Sequence, residues 1–160
     1  MNNLSFHITD ITANSIRANA SEIGLSVEEQ DTRIVIRITD NGSGMDAETA
    51  RRVTNPFYTT RTTRKVGLGL PFLIQNAEQT GGSVTLTSEP GKGTEVRAVF
   101  HSDHIDCPPW GDLPGTVALL ITGNPEINVC FEYRSGETGY SISTNEIKEL
   151  LDGGPLSYPK

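Results

Sequence analysis

Arg33-Ile34-Val35-Ile36-Arg37-Ile38-Thr39-Asp40-Asn41-Gly42-Ser43-Gly44-Met45 is the stretch on which the reading of this chain turns. Ile34, Ile36 and Ile38 alternate with Arg33, Val35, Arg37 and Thr39, the pattern of a strand with one face covered. The strand runs directly into a carboxylate and two spaced glycines, Asp40, Gly42 and Gly44. A carboxylate at a strand end can accept a hydrogen bond from an exocyclic amine such as adenine N6, and glycine lets a flat group approach the backbone. Asp-Asn-Gly is equally a common turn sequence, so the pentapeptide alone leaves both readings open.

Working outward, residues 4–20 have the spacing of an amphipathic helix, with Leu4, Ile8, Ile11, Ser15 and Ala18 on one stripe. Asp10, Asn14 and Arg17 share a second face about a third of a turn away. A strand is expected over 22–27, before the alternating one, and a short helix over 46–53 after it. Residues 54–66 show no periodicity and read as a mobile loop. A second amphipathic helix is predicted over 68–79, with Leu70, Leu73, Ile74 and Ala77 on its apolar face and Gly81 as its cap. Pro71 is tolerated there because the first turn has unused donors. Strands over 83–88 and 94–100 are joined by Glu89-Pro90-Gly91-Lys92-Gly93.

Beyond Phe100 the texture changes. Residues 101–114 hold three prolines and read as a surface linker, which Trp110 is expected to anchor to the core. Val117–Ile121 is too short to assign to helix or strand. Residues 128–134 and 140–143 suggest a hairpin, and Ser143-Thr144-Asn145-Glu146 has capping-box form ahead of a last helix reaching about Leu151. The expected organisation is a main domain over 1–100 with a small α/β extension, 101–160, packed on it, because a piece that short buries too little alone.

Composition narrows the function. Apolar residues at 35% and charged residues at 21% suit a soluble core and argue against a disordered chain. The longest apolar run, Val117–Ile121, is far short of the ~20 residues that span a membrane. The first residues lack the basic flank and apolar stretch of a signal peptide, and Cys107 and Cys130 form no disulfide framework, so a cytoplasmic location is expected. A net charge of -7 disfavours nucleic acid as a partner. Yet residues 49–77 contain no acid and five cations: Arg51, Arg52, Arg61, Arg64 and Lys65. Glycine pairs at 42/44 and 67/69 flank that basic segment, an arrangement suited to an anionic ligand rather than to turns alone.

Four constellations could carry chemistry. Asp10, Asn14 and Arg17 suit a hydrated Mg²⁺ with phosphate oxygens, although an exposed polar helix face would read the same way. Asp40-Asn41-Gly42-Ser43-Gly44 offers the carboxylate described above. Asn55-Pro56-Phe57-Tyr58-Thr59-Thr60-Arg61 through Lys65-Val66-Gly67-Leu68-Gly69-Leu70 puts hydroxyls and cations before a glycine-rich helix start, an anion cradle. Gly91-Lys92-Gly93-Thr94 alone would be an ordinary hairpin turn. His101, Asp103, His104 and Cys107 have metal-binding atoms, but with no second pair at zinc-finger spacing a surface loop is the expected reading.

In this order the four segments resemble the boxes of the Bergerat-fold superfamily: histidine kinases, DNA gyrase B, the large heat-shock chaperones and mismatch-repair MutL. Pro56-Phe57-Tyr58-Thr59-Thr60-Arg61 and Gly67-Leu68-Gly69-Leu70 are similar to the nitrogen-regulator type of histidine kinase. The resemblance covers about the first 100 residues and implies an α+β fold: a two-layer sandwich whose mixed sheet is covered by helices on one face. It implies ATP and Mg²⁺ as ligands, with Asn14 on the metal and Asp40 reading adenine. Gly42, Gly44 and Met45 would belong to the base pocket, Phe57 to the phenylalanine box, and Thr59, Thr60, Arg61 and Lys65 to a lid. Gly67 and Gly69, with Leu68 and Leu70, would hold the phosphates, and Thr94 would reach adenine through water. Arg17 takes the place of a phosphate-binding Lys, and Lys65 that of the second box's first glycine. Asp10 stands where gyrase and MutL carry the water-activating Glu and histidine kinases carry Asn, and is the catalytic candidate.

Nine residues ahead of the asparagine box leave no room for a phosphoacceptor hairpin, and His7 lacks that motif's acidic neighbour and following proline. The expected function is therefore ATP-dependent phosphotransfer to a separate protein, on His or on Ser/Thr, as in two-component signalling or anti-sigma-factor kinases. A non-catalytic module that signals through lid closure is the alternative. A homodimer remains a possible partner state, but an ATP-gated dimer of the MutL type is disfavoured by the short N-terminus.

Overall fold

The computed structural model describes residues 3–53 and 69–150. The alternating stretch forms β2, Arg33–Asp40, and the strand before it forms β1, Glu22–Gln30. They pair antiparallel, with Ile23 opposite Asp40, and β1 runs past its expected end because the turn comes only at Asp31 (φ 54°) and Thr32. β3, Ser83–Glu89, and β4, Gly93–His101, make the predicted hairpin, and β4 lies against β2. The last two strands, β5 (Asn128–Ser135) and β6 (Thr138–Ser143), join the same sheet: β5 pairs parallel with β1, and β6 antiparallel with β5. The sheet is thus mixed and six-stranded, in the order β3-β4-β2-β1-β5-β6.

Period-two burial fixes which face is covered. Ile23, Leu25 and Val27, then Ile34, Ile36 and Ile38, then Val96, Ala98 and Phe100, then Val129 and Phe131 all point to one side and are buried. Onto that side pack α1 (Leu4–Arg17), α3 (Gly69–Gln79) and α4 (Leu113–Gly123), with α1 between the other two. Their apolar stripes are Leu4, Ile8 and Ile11; Leu70, Leu73 and Ala77; and Val117, Leu120 and Ile121. The run that was ambiguous in isolation is therefore helical, and Asp112 caps it by accepting the Gly115 N–H at 3.0 Å. Ser26, Arg37 and Thr39 point to the opposite face, together with the paired Val35 and Val99. This is the α+β arrangement of one sheet with helices on one side. No helix among the described residues is long and apolar enough to cross a membrane.

Two short helices complete the fold: α2, Ala47–Val53, and α5, Thr144–Leu150. The side-chain cap of the last helix forms, since Ser143 Oγ accepts the Glu146 N–H at 3.2 Å. Residues 101–112 do cross the surface, and Trp110 packs against the core. The carbonyls of Pro109 and Trp110 accept the N–H groups of Leu4 and Ser5 at 2.8 and 3.1 Å, giving partners to donors that the first turn of α1 leaves free. α1 ends at Arg17, three residues before the expected stop, because Asn19 turns left-handed (φ 63°) and drops Ala20 into the core.

Candidate functional site

A cavity of about 240 Å³ opens between α1 and the ends of β2, β3 and β4. Sheet register builds its floor in two rows. Asp40, Thr94 and Ser88 lie side by side across β2, β4 and β3, and Ile38, Val96 and Leu86 form the next row in. One polar edge therefore borders an apolar slab, the layout that suits a flat ring with polar substituents at one side. From α1 and its C-cap Ala18 the wall receives Ile11, Asn14, Ser15, Arg17 and Ala18, and from the loop after β2 it receives Ser43, Gly44 and Met45. Leu70, in the first turn of α3, also lines it.

The Asp40 carboxylate is held at both oxygens. Ser15 Oγ donates to Oδ2 at 2.6 Å, and the Gly42 N–H donates to Oδ1 at 2.8 Å. Among the described residues no other donor reaches either oxygen, so the group is both fixed in orientation and able to accept again. Neighbouring Asn41 fastens the loop instead, its Oδ1 accepting the N–H groups of Ser21 and Glu22 at 2.9 and 3.0 Å.

The loop and the β3–β4 turn interlock through their glycines. The Gly91 N–H donates to the Ser43 carbonyl at 2.7 Å. Gly44 has φ 73°, and a Cβ there would fall 2.0 Å from the Glu89 carbonyl oxygen. Gly93 has φ 127°, and its Cβ would fall 2.0 Å from the carbonyl oxygen of Asp40. Backbone pressing on backbone thus demands glycine at both places. Gly42 packs against Ala18, the C-cap of α1, and, although its N–H orients Asp40, it is not among the cavity's lining residues.

On α1, Arg17 Nη2 donates to Asn14 Oδ1, so the guanidinium and carboxamide expected to face phosphates are adjacent. Asp10, a turn earlier and half-buried, does not line the cavity formed by the described residues. Burial pushes its carboxyl pKa above the usual carboxylate value, and the nearby Arg17 charge opposes that rise. Thr94 and Met45 both line the cavity. Gly69 opens α3. Phe57, Thr59, Thr60, Arg61, Lys65, Gly67 and Leu68 lie outside the described residues.

Comparison with known proteins decides the family. A family model described as histidine kinase-, DNA gyrase B- and HSP90-like ATPase matches residues 3–104. The chain belongs to that family. A putative sensor protein of Shewanella frigidimarina is 32% identical over 97 residues, which is 58% of this chain and 15% of that protein. Sensor histidine kinase YxdK of Bacillus subtilis is 29% identical over 104 residues, 61% of this chain and 32% of that one. The matches thus span a third or less of these relatives' length. Among solved structures, the N-terminal domain of a DNA repair protein superposes at a TM-score of 0.63 with 17% identity, covering 98% of this chain and 55% of the other. The Aquifex aeolicus MutL ATPase domain complexed with ADP gives 0.54 with 16% identity, covering 95% and 70%. The shared fold therefore extends through β5 and β6, beyond the residues that the family model matches.

Several residues of the cavity wall, and Ser88 behind it, escaped the sequence reading. Ser15 was placed on the apolar stripe of α1; it is buried there, but its hydroxyl serves Asp40. Ser88 ends the inward-facing set Val84, Leu86, Ser88, so strand alternation together with pairing to Thr94 would have exposed it. Ile38, Leu86 and Val96 follow from the same alternation once Asp40 and Thr94 are known to be neighbours.

Proposed function

We propose that this chain binds ATP with Mg²⁺ in the cavity and passes the γ-phosphoryl group to a separate protein, onto His or onto Ser/Thr. The observation that carries the reading is Asp40: a carboxylate fixed at both oxygens, with lone pairs to spare, at the polar edge of an apolar slab. That geometry suits an exocyclic purine amine above a ring buried between aliphatic side chains. Family membership and the likeness to a domain solved with ADP support it.

The residues fit a magnesium ion of the nucleotide-borne kind. Mg²⁺ keeps several waters and phosphate oxygens and asks little of the protein. Asn14 Oδ1 offers one hard oxygen beside the Arg17 guanidinium, and no group of three or more His, Cys, Asp or Glu side chains among the described residues forms a cage. When bound, the ion would neutralise phosphate charge. Arg17 would add its own positive charge to the phosphates, and Asp10, its carboxyl made more basic by burial, is the candidate proton acceptor. Thr59, Thr60, Arg61, Lys65, Gly67, Leu68 and Gly69 are proposed, on the resemblance of their boxes, to close over the phosphates.

Calorimetry with ATP, with and without Mg²⁺, tests the metal assignment. Asn14→Ala is expected to cost about tenfold in affinity when Mg²⁺ is present, ~1.4 kcal/mol, and little when it is absent. Equal losses in both conditions would remove Asn14 from the metal. Incubation with γ-labelled ATP and candidate partner proteins then tests transfer, and label on a partner is the expected outcome. Tight ATP binding without labelled partner would contradict the transfer step.

A further inference from the structure

Both α1 and α3 contribute to the cavity wall, and one polar contact joins them at the end away from it. His7, in the first turn of α1, meets Asn76, in the last turn of α3, with Nε2 and Nδ2 2.7 Å apart. Both side chains are buried. At the other end of the helix pair, Ile11, Asn14 and Arg17 of α1 and Leu70 of α3 line the cavity. The helices therefore run in opposite senses, closed by the His7–Asn76 contact at one end and open to the cavity at the other. The amide nitrogen can only donate, so Nε2 accepts, and Nδ1 has no partner among the described residues. Asn76 is thus the one polar partner of the ring there, and no other side-chain hydrogen bond joins α1 to α3 among the described residues.

The apolar stripes that the two helices bury, Leu4, Ile8 and Ile11 with Leu70, Leu73 and Ala77, attract without direction. Such packing resists separation and has little preference between neighbouring registers. A hydrogen bond has a narrow window of length and angle. A shift of α3 along α1 stretches the His7–Asn76 contact and leaves two buried polar groups unpaired, a cost that apolar packing alone does not impose. Asn14 stands about two turns from His7, and Leu70 fewer than two from Asn76. Over so short a span each helix acts as a rigid ruler, so a contact fixed at one end fixes the spacing at the other.

We propose that His7 and Asn76 are a positioning pair, which holds α3 in one register against α1 and so sets the gap between Leu70 and the Asn14–Arg17 pair where the phosphates of a nucleotide lie. The inference rests on the reading that ATP occupies this cavity with its phosphates at Asn14 and Arg17. The other end of the cavity is built by Asp40, Met45 and Thr94, from β2, the loop after it and β4, and the contact touches none of these. Its loss therefore acts on the phosphates and spares the base.

The test is calorimetric titration of the full chain with ATP and with AMP, both with Mg²⁺, since AMP keeps the base and lacks the outer phosphates. Asn76→Leu is expected to shrink the ATP-over-AMP affinity ratio by about tenfold, the worth of one polar contact to the phosphates, and to leave AMP binding unchanged. His7→Gln, which keeps a polar partner for Asn76, is expected to retain the wild-type ratio. The decisive variant carries His7→Leu and Asn76→Leu together. Exchanging both partners for apolar groups leaves nothing buried and unpaired, so it is expected to regain the melting temperature that Asn76→Leu alone loses, yet to keep the reduced ratio. Asn76→Ser, too short to reach the ring, is expected to shift the ratio in the same direction and serves if the leucine variants fold poorly. Equal weakening of ATP and AMP by Asn76→Leu, or a wild-type ratio in the double variant, would overturn the proposal and leave the contact a tie within the core. The wild type separates the two failures. If it binds ATP no more tightly than AMP, the phosphates lie away from Asn14 and Arg17, and the inference falls with that reading. If it favours ATP and no variant moves the ratio, only the role of His7 and Asn76 is wrong.

Discussion

Asp40→Asn is expected to weaken ATP binding by about a hundredfold or more, ~2.7 kcal/mol, while the protein stays folded. The substitution conserves shape and exchanges one acceptor oxygen for an amide nitrogen carrying two donors. If that nitrogen takes the Oδ1 place, it faces the Gly42 N–H, a fixed donor now 2.8 Å away. If it takes the Oδ2 place, the Ser15 hydroxyl can rotate to accept one hydrogen, but the other points where the base amine must donate. Either orientation leaves a donor facing a donor, and each such contact costs about 1–3 kcal/mol. Calorimetry on the variant, with a thermal melt beside it, separates lost binding from lost folding. An unchanged dissociation constant would remove Asp40 from the site.

A second large effect is expected away from the nucleotide, at His7. This side chain is 1% exposed, with its ring 5.3 Å from that of Phe72 and 6.4 Å from that of Phe100. Its Nε2 lies 2.7 Å from Asn76 Nδ2, and its Nδ1 is buried with no hydrogen-bond partner among the described residues. With no carboxylate among the described residues to pair a charge, burial lowers the imidazole pKa from 6.5 to about 4. Between those values the unfolded chain takes up a proton that the folded chain refuses. Stability should therefore fall as pH drops through that window, by ~1.4 kcal/mol per unit and ~3 kcal/mol in all. His7→Gln keeps a polar partner for Asn76 and cannot titrate. Urea unfolding of both proteins from pH 7 to pH 4 should show the wild type losing stability faster by that amount. Parallel curves would mean that His7 is already solvated or protonated in the native state.

His7 also illustrates what local sequence conveys. Its place on the helix face was visible, but its burial was not, because α3 and β4 supply Phe72, Asn76 and Phe100 from far along the chain. The inner faces of β2 and β4 were legible because side chains alternate whatever the partner strand is. The parallel pairing of β1 with β5, residues about a hundred apart, has no such local signature, and neither does the joining of the last two strands to the main sheet.

The site divides along the same line. Asp40, Asn14, Met45 and Thr94 could be named because backbone position and residue type announce them, and they line one cavity. The glycines were legible as special, but the cause at Gly44 and Gly93 lies in main chain against main chain, which no single segment reveals. Ser15 and Ser88 act through hydroxyls whose meaning depends on neighbours 25 and 6 residues away, so only the assembled sheet assigns them. The basic, hydroxyl-rich stretch from Thr59 to Lys65 was the strongest sequence signal for phosphates and lies outside the described residues.

The most direct test is a crystal structure of the chain grown with Mg²⁺ and a non-hydrolysable ATP analogue. The purine should lie on Ile38, Leu86 and Val96, with its exocyclic amine within about 2.7–3.2 Å of the Asp40 carboxylate. A nucleotide bound elsewhere, or this cavity filled by the protein's own side chains at saturating ligand, would contradict the account.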